Sequence, residues 1–179
     1  MGRKAAEIID MLTEDHDRLM VLFAAFTRLR RYGSHDDKQT IVEITCTEIV
    51  INMQVEEEHL YAALGHTMDD LFLLEQAEVG HLMVRRLVVE LETMQASDPF
   101  YDAKFAVLAT YLTVQIEHEQ TRLFPLMEAL DLPFDTLAQD MRSRRRELRN
   151  EFGLSGAEID EDDTGYRSHA ARRPQYRHH

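Results

Sequence analysis

From residue 5 to residue 152 apolar side chains recur at helical spacing, in four long stretches and one shorter one. The first, 5–31, carries Ile8, Leu12, Leu19, Phe23 and Phe26, and stops at Tyr32-Gly33-Ser34. Ser34 with Asp37 predicts a capping box that starts a second helix, 35–64, with Ile41, Ile44, Ile49, Val55, Leu60 and Ala63 facing inward. A third helix, 69–94, is predicted on Leu74, Ala77, Val84, Val88 and Leu91. Asp98-Pro99 signals the start of a fourth, 99–129, on Phe105, Leu108, Leu112, Leu123 and Leu126. A shorter fifth, 134–152, ends at Gly153, and its arginine run reads as a solvated face.

Short loops between long helices predict an all-α, up-down-up-down four-helix bundle with a fifth C-terminal helix, residues 1–153. Residues 154–179 lack apolar periodicity and read as a flexible charged tail. A net charge of −13 argues against nucleic acid or an anionic membrane as the main partner. No apolar run approaches a membrane span, and the first residues lack a signal-peptide core. The single cysteine, Cys46, fits a reducing cytoplasm and reads as a small packed side chain.

Polar residues interrupt each long stripe. They are His16 in the first, Asn52 and Glu56 in the second, His81 in the third, and Gln115 and Glu119 in the fourth. Counting at about 1.5 Å per residue from the helix ends puts His16 roughly 22 Å below one rim of an up-and-down bundle. The same count brings the interruptions of the other three helices close to that depth. A buried, unpaired carboxylate is costly enough that it neutralises, pairs or binds a cation. Imidazoles and carboxylates together suit iron or manganese better than calcium or magnesium. The competing reading is a buried polar cluster in which His16 and His81 pair with Glu56 and Glu119 without metal.

The motifs Leu12-Thr-Glu-Asp-His16-Asp, Glu56-Glu-Glu-His-Leu-Tyr61, His81 and Glu119-Gln-Thr-Arg-Leu-Phe-Pro125, in this order and spacing, resemble the hemerythrin-like, HHE cation-binding family over about residues 5 to 152. The resemblance implies a non-haem iron centre, usually of two ions, that works on dioxygen, peroxide, nitric oxide or iron itself. It also implies His16 and His81 as terminal ligands, with Glu56 and Glu119 bridging. The family usually has a histidine four residues before each bridging carboxylate, where this chain has Asn52 and Gln115.

His59 and His118 stand nearby, His59 in a Glu-x-x-His pair with Glu56. Gln115 with His118 and Glu78 with His81 repeat that spacing, all displaced toward one end of the bundle. The expected metal set is therefore a remodelled one of His16, Glu56, His59, His81, His118 and Glu119. For His118 the alternative is an interhelical seam or solvent. Tyr111 reads either as a hydrogen-bond donor to bound oxygen, or an anionic ligand, or as an ordinary core tyrosine. The expected function is binding or reducing a small oxidant, dioxygen or peroxide, with iron as cofactor and manganese as the alternative metal. Its rivals are a metal- or redox-responsive sensor or interaction module, and an iron store.

Overall fold

Ser34 separates the first two helices as expected. Its hydroxyl accepts from the Asp37 backbone N–H at 3.1 Å, and the Asp37 carboxylate accepts from the Ser34 N–H at 3.1 Å. In the computed structural model, which describes residues 5–154, α1 spans Ala6–Tyr32 and α2 spans His35–Val55. A π-helical turn, Glu56–Tyr61, joins α2 without a break to α3, Ala62–Gly65. Then come α4, Phe72–Glu92, and α5, Tyr101–His118, which runs through a second π-helical turn, Glu119–Leu123, into α6, Phe124–Ala129. Last is α7, Phe134–Glu151. The described residues are thus five helical rods with no strand. None of these helices is long and apolar enough to cross a membrane.

Rod α1 packs on α2 and α5, and α4 packs on α2 and α5. α7 lies against α1, α2 and the first π turn. The apolar interior falls into two clusters. One gathers Leu12, Val55, Leu74 and Leu123, and the other gathers Leu19, Met53, Val84 and Ile116. On three of the long rods the changeover between clusters falls at a buried polar residue, His16, His81 or Glu119, and on the α2 rod it falls around buried Asn52, one turn before Glu56. Each large apolar side chain fully buried here contributes about 1.5–3 kcal/mol, so the polar layer is held from both sides. Cys46 is one of the packed residues, and burial pushes its thiol pKa up.

Several expectations need correction. The fourth helix starts at Tyr101 rather than 99, after Phe100 in a left-handed conformation at φ 70°. The Asp98 carboxylate caps the preceding turn instead, accepting from Gln95 N–H at 2.8 Å. The arginine run of α7 is not a free solvated face. Arg142 pairs with Glu7 at 2.9 Å, Arg144 with Glu58 at 2.7 Å, Arg145 with Asp15, and Arg149 with Glu48 at 2.6 Å. These pairs tie α7 to α1 and to the α2–α3 rod. Even beside Arg145, burial pushes the Asp15 carboxyl up to about 6.

The α7 end is a Schellman motif. Leu154 N–H donates to Arg149 O at 2.8 Å, and Gly153 N–H to Asn150 O at 3.2 Å, with Gly153 at φ 74°. Leu154 is buried in the core, and the rest of the expected tail, 155–179, lies outside the described residues.

The π turns change which side chains face in. An i→i+5 ladder absorbs an extra residue per turn, so positions beyond it are rotated backward from α-helical expectation. Beyond Glu56 the inward residues are Leu60, Tyr61 and Leu64, with Ala63 only half-buried. Beyond Glu119 they are Leu123, Phe124 and Met127, and Leu126 is exposed.

Candidate metal centre

Four rods each bring one ionisable side chain to the polar layer. His16 comes from α1, Glu56 from the first π turn, His81 from α4 and Glu119 from the second π turn. All four residues are at most 5 % exposed. π turns inside long helices recur at functional sites, and here each begins at a carboxylate of the layer.

One ligand atom from each of His16, Glu56 and Glu119 lies within 4.8 Å of the other two. His16 Nε2 is 3.2 Å from Glu119 Oε2, but off line, and it has no hydrogen-bond partner. Glu56 Oε2 is likewise buried without a hydrogen bond, 3.3 Å from His81 Nε2. The other Glu56 oxygen accepts from the Asn52 amide at 3.1 Å. His16 is further fixed by Phe124, stacked at 6.1 Å, and by Gln120, whose amide is 3.4 Å from Nδ1.

The His81 side is fully partnered. Nδ1 is 2.9 Å from Glu57 Oε1, and Arg85 grips the same carboxylate at 2.9 Å. Nε2 is 3.2 Å from the Tyr61 hydroxyl, which also donates to Glu119 Oε1 at 3.4 Å. Glu57 is half-buried and holds the imidazole from behind, while Glu58 is exposed on Arg144.

The charges in the layer compensate. Burial alone lowers both imidazole pKa values, but it is outweighed by the Glu119 and Glu56 carboxylates at His16 and by the Glu56, Glu57 and Glu119 carboxylates at His81. His16 is raised and His81 is raised to about 9. Burial, and then Glu56, raise Glu119. Burial and the same carboxylates hold Tyr61 well above its usual pKa, so it stays a protonated donor.

Comparison with known family models, curated proteins and solved structures returns no match.

The remaining expected residues lie outside this buried group. His59 is half-buried and makes no hydrogen bond or ion pair among the described residues; the π turn carries it off the face that Leu60 and Tyr61 occupy. His118 is exposed. With Tyr111, Gln115 and Glu119 it lines one wall of a cleft of about 530 Å³, opposite Phe72, Ala77 and Val79. Gln115 closes the cleft against α4, donating to Ala77 O at 3.1 Å. Sequence reasoning gave Tyr61, Glu57 and Gln120 no role. Tyr61 stands five residues after Glu56, the position a π turn returns over it, but nothing in the apolar spacing marks the turn.

Buried imidazole and carboxylate atoms that converge without hydrogen bonds fit a first-row cation. His16, Glu56 and Glu119 would hold it, with His81 adjoining through Glu56.

Proposed function

We propose that this chain is a hemerythrin-like, up-down-up-down four-helix bundle with α7 as its fifth helix. It holds non-haem iron, in a one- or two-ion centre, at His16, Glu56, His81 and Glu119, and binds or reduces a small oxidant such as dioxygen or peroxide. The observation that supports this reading is the buried group of His16, Glu56 and Glu119, one ligand atom of each within 4.8 Å of the others, in which His16 Nε2 and Glu56 Oε2 have no hydrogen bond. Held by these residues, the metal would supply the redox chemistry. The protein supplies the rest. Tyr61 presents an O–H to the layer, Glu57 orients His81, and Gln115 with the cleft walls limits access from the α4–α5 side. His118 lines the same cleft as Glu119. The lone, buried Cys46 is consistent with a reducing cytoplasm.

The test is the metal content of protein purified without chelators. Near-stoichiometric iron is expected, together with its loss in Glu56→Ala and Glu119→Ala while helical circular dichroism persists. Undiminished iron in both variants removes these carboxylates from the site. Saturating metal at a hundredfold excess over Kd should also stabilise the fold by about 2.7 kcal/mol.

One observation favours a second reading. Both His81 nitrogens already have protein partners, as a self-satisfied cluster requires. On that reading the molecule is a sensor or interaction module without catalysis. Identical melting curves with and without iron support it.

A further inference from the structure

The outer surface of α4 and α5 is unusually apolar for a chain this acidic. On α4, Phe72, Val79, Leu82 and Met83 are each more than half exposed, and on α5 so is Val107, with Val114 close to half. Most of the large hydrophobic side chains exposed among the described residues lie on these two helices. A two-helix face about 30 Å long and roughly 20 Å wide covers some 600 Å². That meets the lower end of what each partner buries in a specific complex, and patches of this size mark interaction sites.

The charges along α4 select the occupant. At about 100° per residue, Glu75, Glu78, Arg86 and Val89 all lie within about 40° of the line through Leu82. The acids precede Leu82 and the base follows it, with Glu78 and Arg86 each four residues away. Such a face complements itself when a second copy lies antiparallel. Leu82 then meets Leu82, each Glu78 meets the Arg86 of the other copy, and Val79, about 60° around the helix, lines the edge of the contact. A parallel copy would set like charges against each other.

We propose that the α4–α5 face is a homodimer interface, with α4 packed antiparallel on its copy about a twofold axis at Leu82. Nothing in the folding of one chain opposes this. Leu82 is 61 % exposed, and among the described residues Arg86 pairs with the half-buried Glu90, at 3.3 Å. Phe72, Val79, Tyr111 and Val114 also wall the cleft, so the cleft adjoins this face. The interface does not depend on the centre holding metal.

Sedimentation velocity of the full chain, from micromolar to millimolar concentration, tests the proposal. A reversible monomer–dimer equilibrium is expected, with Leu82→Glu raising the dimer Kd at least about tenfold and leaving the thermal melt unchanged. Glu78→Arg and Arg86→Glu should each weaken the dimer, and the double variant should recover it. A monomer over the whole range overturns the proposal. So does a dimer indifferent to Leu82→Glu, or a double variant no tighter than the single ones.

Discussion

Gly80 and Gln115 are in such close contact that a Cβ on the glycine would stand 2.1 Å from the Gln115 amide oxygen. The absent side chain lets Gln115 lie flat on α4 and bond Ala77 O, which closes the cleft beside Glu119. Gly80→Ala should therefore expel the amide. The gain of about 1 kcal/mol from removing a helix-interior glycine offsets the lost hydrogen bond, so Tm should stay within about 2–4 °C of wild type. The Gln115 side-chain amide signals in ¹⁵N NMR should move. Unmoved signals would show that the wall yields elsewhere.

Tyr61→Phe removes the hydroxyl between His81 Nε2 and Glu119 Oε1. Leaving buried polar atoms without that partner should cost about 1–3 kcal/mol, read as a lower urea midpoint with an unchanged slope. A change below about 0.5 kcal/mol would deny the hydroxyl a structural share.

Glu57 and Glu58 are adjacent, yet only Glu57 touches His81. If the centre holds metal, Glu57→Gln should weaken binding of manganese(II) about 10- to 100-fold by calorimetry, because it orients a ligating imidazole. Glu58→Gln should leave the affinity unchanged. Equal losses would point to general acidity rather than to the bond at Nδ1.

Asp37 gives a pH-dependent signature of the first helix junction. Hydrogen bonds from the Ser34 hydroxyl and backbone N–H lower its pKa below the ordinary 3.8. A carboxylate lowered in the fold stabilises above its unfolded pKa, and that contribution fades as pH falls through the folded value. An NMR titration should place its midpoint below 3.8, and Ser34→Ala should bring it back up.

Helix positions, the capping box and the layer of His16, Glu56, His81 and Glu119 were legible in the sequence, because each follows from local geometry. Apolar period and residue rise set which side chains share a face and a depth. The tertiary structure alone decided the two π turns, since taking up an extra residue depends on what packs around the rod. That shift put Tyr61 over the layer, turned Leu126 out and left His59 off the buried face. Packing also decided that Glu57 reaches across to His81, and that the α7 arginines close on acids far away in the chain. Such contacts form between side chains of different rods, and no periodicity within one rod encodes the distance between them.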